Sequence, residues 1–207
     1  MESSVRKLVE GMPDVQGLVF DCDGTLADTM PLHYLAWIEE LAVHGLTLSE
    51  DEFYAMGGWP TLVVARHLLQ RGGCTADPEQ VGHDKESRFE RLLSQVQPIP
   101  PVIEVARAYQ RRVPMGVATG GMAHICRQIL DQIQATELFN AIVTCEDVAR
   151  HKPDPDIFLE AARRIGVKPE FCVAFEDTNP GVTAARSAGM RVIDVRDFYQ
   201  PRRISST

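Results

Sequence analysis

The stretch Gly17-Leu18-Val19-Phe20-Asp21-Cys22-Asp23-Gly24-Thr25-Leu26 decides the reading of this chain. Leu18 to Phe20 is an apolar run of the kind that forms a buried strand. It ends in two carboxylates two residues apart, then a glycine. Side chains at i and i+2 of extended backbone point the same way, so Asp21 and Asp23 face one small volume just past the strand's carboxyl end. Gly24 lets the chain turn with positive φ. Two like charges that close repel, more strongly away from water, and need a cation, a shared proton or full exposure. A polar turn after a strand would also place two acids there. Ala27 and Leu32 stand where the later ligands of an EF-hand loop belong and argue against one.

At 207 residues the chain can bury a sizeable core, as one large domain or one domain plus an insert. Its 44% hydrophobic content and mixed charge are those of a soluble globular protein. The formal net charge of −8 argues against a nucleic-acid partner, and an anionic substrate must be drawn by a local cation. No apolar run reaches the roughly 18 residues of a membrane span. Met1 to Gly11 is charged and lacks the apolar region of an export signal. The cysteines, Cys22, Cys74, Cys126, Cys145 and Cys172, are scattered and odd in number, as expected of reduced thiols in a cytoplasmic protein. No long exposed apolar stripe is evident, and a monomer is the expectation.

Working outward, residues 1–14 read as a short helix or frayed arm. After the acidic loop, apolar residues recur at helical spacing from Pro31 through His44, and Gly45 ends the pattern. Further helices fit Ser49–Met56, Thr61–Arg71 and Pro78–Val96, with Ser49 and Glu52 forming a capping-box pattern. Nothing from 30 to 96 reads as a strand. Residues 29–97 are therefore expected to be an α-helical cap inserted into a core of residues 1–28 and 98–207. The exits are Asp28-Thr29 and the proline-rich Gln97-Pro98-Ile99-Pro100-Pro101. From Pro101 helices and strands alternate: strands at Met115–Thr119, Ala141–Cys145, Phe171–Phe175 and Arg191–Val195, helices between them. That order predicts an α/β fold, a doubly wound parallel sheet with right-handed crossovers. In such sheets ligands bind beyond the strands' carboxyl ends. The tail from Arg202 to Thr207 is expected to be mobile.

Chemistry-bearing residues gather at those predicted ends. The second strand ends in Thr119-Gly120-Gly121, whose hydroxyl and unencumbered N–H groups suit an anion, or equally an N-cap with a glycine turn. Lys152 stands before Pro153-Asp154-Pro155, where Asp154 suits an N-cap and Pro155 the first helical position. The fourth strand ends in Glu176-Asp177, followed by Asn179-Pro180-Gly181. Four carboxylates, a hydroxyl and a lysine at one sheet edge exceed what capping requires.

D-C-D-G-T-L, a hydroxylated residue ending the second strand, K-P-D-P, and an apolar-F-E-D run followed by N-P-G resemble, in order and over nearly the whole chain, the motif set of the haloacid dehalogenase superfamily. The inserted helices resemble the cap of its β-phosphoglucomutase-like branch, and the chain looks like that branch's small sugar-phosphate phosphatases, such as the fructose-1-phosphate phosphatase type. The resemblance implies a Rossmann-like core and phosphate-ester hydrolysis through an aspartyl phosphate. It makes Asp21 the nucleophile and Asp23 the acid and then base. Mg²⁺ would be held by Asp21, the Asp23 carbonyl, Asp177 and Glu176. Thr119 and Lys152 would bind the phosphoryl oxygens, with Thr25, Gly120 and Gly121 among the substrate contacts. The Asp23 carboxyl is expected to be raised by its acidic neighbours and moderated by the metal.

The cap favours a phosphatase over a mutase, which must hold a second phosphate while the sugar turns over. Its turn reads Gly57-Gly58-Trp59-Pro60-Thr61, with proline where the mutase pattern has arginine, and Gly120-Gly121-Met122-Ala123 lacks that pattern's lysine and asparagine. Arg66, Lys85 or Arg91 could compensate. A phosphonatase needs a cap lysine, and Lys85, the cap's single one, sits in a polar helix without a matching motif. Asp23 argues against a dehalogenase, and the intact acids argue against an inactive phospho-ligand-binding regulator. His33 and Trp37 lie four apart on one helix face, at positions that face the site in this branch, although core packing would also explain Trp37. Trp59 is a candidate cover for the sugar, and a small phosphorylated metabolite is the expected partner.

Overall fold

The computed structural model describes residues 4–204. The elements run α1 (Ser4–Glu10), β1 (Gly17–Phe20), α2 (Met30–Val43), α3 (Glu50–Ala55), α4 (Thr61–Arg71), α5 (Pro78–Glu90), α6 (Pro100–Tyr109), β2 (Met115–Ala118), α7 (Ala123–Gln132), β3 (Ala141–Val143), α8 (Asp156–Ile165), β4 (Cys172–Glu176), α9 (Asn179–Ser187) and β5 (Arg191–Asp194). The strands form one parallel sheet in the order β3-β2-β1-β4-β5. The first strand is thus central, and the chain order reverses beside it. That is the switch point at which a parallel sheet opens a crevice beyond its carboxyl ends.

Strand alternation explains the two layers of helices. Leu18, Phe20, Val117, Val173 and Phe175 face a core shared with α1, α6 and α7. Val19, Ala118, Val143, Cys172 and Ala174 face the opposite way, into a core shared with α8 and α9. Both faces being covered, the strands read as continuous apolar runs rather than alternating ones. Phe20 stacks on Phe175 at 4.7 Å between ring centres, joining β1 to β4.

Helices α2 to α5 build a third hydrophobic cluster around Trp37, Leu41, Phe53, Leu68 and Val81. The Ser49–Glu52 capping box starts α3. Helix α5 ends at Glu90, not at Val96; the rest is a loop and the 3₁₀ turn Leu93–Gln95. The two chain segments that join these helices to the sheet run side by side: Asp28 N–H donates to the Gln97 carbonyl at 2.8 Å and Ile99 N–H to that of Leu26 at 2.9 Å.

The described end of the tail is held against α3. Arg203 pairs with Asp51 at 2.5 Å and lies over the Tyr54 ring at 4.4 Å, and Ile204 N–H donates to Glu50 at 2.9 Å. Upstream, the Tyr199 hydroxyl donates to Asp28 Oδ2 at 2.7 Å. These partners, Asp28, Glu50, Asp51 and Tyr54, are charged or aromatic groups far from the tail in sequence, which a reading of the tail's own composition does not reveal. The remaining tail residues, 205–207, lie outside the described residues. Among the described residues no helix is long and apolar enough to cross a membrane.

Candidate active site

The carboxyl ends of β1, β2 and β4 bring Asp21, Thr119 and Glu176 together. Asp21 follows β1 directly, with its N–H donating to the Phe175 carbonyl at 3.0 Å. Lys152 Nζ lies 2.6 Å from Asp21 Oδ1 and 2.8 Å from Glu176 Oε1, and all three side chains are buried. Burial works against the Lys152 ammonium, but the charges of Asp21 and Glu176 overcome it and hold the pKa above its ordinary value. The same burial pushes the Asp21 carboxyl up to about 7, opposed by Lys152 and reinforced by Glu176 and Asp23. Asp177 is raised well above 3.8 by burial and by the charges of Glu176 and Asp21.

These three acids fit a divalent metal. One oxygen each from Asp21, Glu176 and Asp177 lies within 4.8 Å of the others. The donor set is all oxygen, as hard cations require. The repulsion and burial that raise Asp21 and Asp177 are costs that a cation would relieve.

Glycines make the cluster possible. Gly24 turns with φ +78°, and a Cβ there would come within 2.3 Å of Asp177. A Cβ at Gly181 would stand 1.8 Å from Glu176 Oε1. Glu176 folds back over the start of α9, where its Oε2 accepts the Thr178 N–H at 2.5 Å and hydroxyl at 3.0 Å. The glycine of N-P-G thus makes room for the acid ahead of it.

Thr25, expected to contact substrate, is fully buried and donates to Asp177 Oδ1 at 2.9 Å; it orients that acid. Thr119 is buried, and its Oγ1 accepts the Gly121 N–H at 3.0 Å, shaping the Gly120-Gly121 turn. Asp154 does not cap α8; Pro155 occupies that position without a side-chain bond, and Asp154 pairs with Arg150 at 3.7 Å.

Asp23 departs from expectation. Burial pushes its carboxyl up, but the hydrogen bonds from His33 and Thr29 and the Lys85 charge outweigh burial and hold it below the usual carboxylate value. His33 Nε2 lies 3.2 Å and Thr29 Oγ1 2.7 Å from Asp23 Oδ1. His33 stacks on Phe89 at 3.7 Å. Lys85 is not a solvated residue of a polar helix: it is buried, with Nζ 2.8 Å from His33 Nδ1 and 3.0 Å from Glu86 Oε1. Thr29 and Glu86 escaped sequence reasoning, and Lys85 was weighed there only as a possible phosphate-binding or Schiff-base lysine, not as a partner of His33. For Lys85 the one available signal was its place four residues before the buried Phe89.

A cleft of about 660 Å³ opens between the sheet's edge and helices α2 to α5. It is lined by Asp21, Asp23, Thr119 and Lys152 on one side and by His33, Trp37 and Trp59 on the other. Gly120 and Gly121 also line it. Trp37 is nearly buried and belongs equally to the helical core, whereas Trp59 is 43% exposed at the rim.

A parallel sheet with buried acids and a buried lysine at its switch point defines the class, and comparison with known proteins names it. Residues 18–195 match the family described as haloacid dehalogenase-like hydrolase, and the chain belongs to that family. It is 39% identical over 181 residues to the fructose-1-phosphate phosphatase YqaB of Escherichia coli, covering 87% of this chain and 96% of that protein. It is 28% identical to the β-phosphoglucomutase of Bacillus subtilis, covering 87% of this chain and 83% of that one. A solved structure of CbbY from Rhodobacter sphaeroides in complex with xylulose-(1,5)bisphosphate superposes with a TM-score of 0.75 at 27% identity, covering 86% of this chain and 84% of that one.

Proposed function

We propose that this protein is a Mg²⁺-dependent phosphatase of small phosphorylated sugars, with fructose 1-phosphate the first compound to try. The observation that carries the reading is Asp21, gripped by Lys152 at 2.6 Å within a buried cluster of metal-type acids. A carboxylate can approach a phosphate dianion only where cations neutralise both. Asp21, Glu176, Asp177 and the Asp23 carbonyl would hold Mg²⁺, which supplies that neutralisation together with Lys152. An Asp21 oxygen attacks phosphorus and the bond to the sugar oxygen breaks, leaving an aspartyl phosphate. Asp23, ionised in the free protein, takes up a proton as the negative charge of the phosphate ester enters beside it, gives that proton to the departing oxygen, then takes one from the water that releases phosphate. His33 and Thr29 both bind Asp23 Oδ1, while Oδ2 stands 3.5 Å from where a Cβ of Gly121 would be. Oδ2 is therefore the atom that exchanges the proton, beside the Thr119-Gly120-Gly121 turn that takes the phosphoryl oxygens.

Residues 29–97 act in this reading as a cap over the core of residues 1–28 and 98–207, excluding water from the first half-reaction. Hydrolysis is favoured over phosphomutase chemistry because, among the described residues, no arginine lines the cleft. Arg66 is exposed on α4, and Arg91 is drawn to Glu39 at 3.2 Å. The test is phosphate release from a panel of sugar phosphates, with Mg²⁺ and with chelator, beside Asp21→Asn. Release that needs both metal and Asp21 supports the phosphatase; isomerisation of β-glucose 1-phosphate without net release would replace it with a mutase.

A further inference from the structure

Helix α5 turns one face into the cleft. Glu79, Gly82, His83 and Glu86 recur at helical spacing, and all four line the cavity. The neighbouring face, Val81, Lys85 and Phe89, is buried among the other helices. Gly82, one turn before Glu86, carries no side chain, and the nearest atom to a Cβ there would be Thr61 Cγ2 at 3.5 Å.

Glu86 is mostly buried, at 15% side-chain exposure. Its Oε1 accepts from Thr61 Oγ1 at 2.7 Å and from Lys85 Nζ at 3.0 Å. Burial alone would raise its carboxyl, but the Lys85 charge and the two hydrogen bonds hold it below its ordinary value, so it is ionised. Its neighbouring cations are already engaged. Lys85 is shared between Glu86 and His33, and Lys152 between Asp21 and Glu176. The cap wall of the cleft thus offers an ionised carboxylate, Glu86, and a second acid, Glu79, beside His33, His83 and a Lys85 already paired with Glu86 and His33.

We propose that Glu86 reads the part of the substrate that leaves. Its carboxylate accepts hydrogen bonds from hydroxyls on the far side of a phosphomonoester, and it repels an ester carrying a second phosphate or a carboxylate there. The assignment rests on the phosphatase reading and deepens it, because it states which phosphate esters the cleft takes: monophosphates with an uncharged, donor-rich leaving group. A buried acceptor discriminates strongly in favour of a ligand that satisfies it and against one that brings like charge.

The test measures kcat and KM for a hexose 1-phosphate, the same sugar with a second phosphate, and p-nitrophenyl phosphate, whose leaving group offers no hydroxyl donor. The wild type and Glu86→Gln are compared, the latter keeping the shape and the Thr61 bond. The wild type is expected to prefer the monophosphate over the bisphosphate by at least about tenfold in kcat/KM. Glu86→Gln is expected to shrink that preference about tenfold, chiefly through KM, while p-nitrophenyl phosphate turnover confirms a folded site. A preference unchanged in Glu86→Gln, or an equal fall in kcat on all three compounds, overturns the assignment and leaves Glu86 as a partner of Lys85 alone. Absence of release from all three by the wild type overturns the phosphatase reading itself, and this assignment with it.

Discussion

His33 Nε2 donates to Asp23 Oδ1 across 3.2 Å, and its tautomer is set from behind by Lys85. A lysine ammonium has donors and no acceptor, so His33 Nδ1, 2.8 Å from Lys85 Nζ, must accept. The ring proton then sits on Nε2, facing the carboxylate. The chain of bonds joins the core's acid to helices α2 and α5, so the position of those helices and the basicity of Asp23 are linked.

Breaking that chain should lower turnover without unfolding the protein. Lys85→Met removes the donor that sets the tautomer, and His33→Ala removes the ring. Each is expected to reduce kcat by about 10²-fold, the lower end of what acid–base groups contribute. Steady-state phosphate release checks this; an unchanged kcat in both variants would remove His33 and Lys85 from the reaction.

Asp21→Asn should abolish turnover, by about 10⁶-fold, because no neighbouring group can replace the nucleophile. Trapping the wild type with substrate and quenching in acid should leave phosphate bound to the wild type and none bound to the variant.

Metal should stabilise the fold through the acid cluster. Free Mg²⁺ at a hundred times its Kd adds about 2.7 kcal/mol, and each kcal/mol moves Tm by roughly 2–4 °C for a chain of this size. Asp177→Asn should lose most of that shift. Thermal unfolding with Mg²⁺ and with chelator reads it directly.

Gly181→Ala would set a methyl 1.8 Å from Glu176 Oε1, so a buried carboxylate bonded to Lys152 and Thr178 must shift. The expected cost is about 1–3 kcal/mol, with weaker metal binding because Glu176 must leave its position beside Lys152. Urea unfolding and a metal titration measure the two effects separately.

Tyr199→Phe removes the donor to Asp28, whose other oxygen is already buried without a partner. The expected loss is about 1–3 kcal/mol at neutral pH. Burial holds the folded-state carboxyl above its ordinary 3.8, and the Tyr199 hydroxyl pulls it back. Between the unfolded and folded pKa the folded state binds more protons, so this penalty shrinks as pH falls through the folded value. Without the hydroxyl the folded pKa rises further, and the variant's deficit should narrow on acidification. A deficit that widens instead would exclude this account.

The acid at the end of β1, the pair at the end of β4 and the lysine before α8 were legible because each is a local pattern. An apolar run followed by a charged residue reads the same way whatever surrounds it. Thr25 was misplaced for the opposite reason: its hydroxyl faces Asp177, 152 residues away. No spacing in the D-C-D-G-T-L motif tells which of two carboxylate clusters the hydroxyl meets. Asp23 was read as raised because its acidic neighbours are visible in sequence, while the donors that reverse the sign come from packing.

The sequence by itself determined the alternation of strands and helices, the acids and glycines at the strand ends, and the capping box that starts α3. All follow from backbone periodicity and from residues within a few positions of one another. Only the tertiary structure decided that Lys85 is buried against a histidine 52 residues away, that Glu86 faces the cleft, and that Arg203 and Ile204 rest on α3. Those placements depend on how α5 packs against α2 and where the chain returns after β5. They are set by the summed burial of many side chains, which no local pattern records.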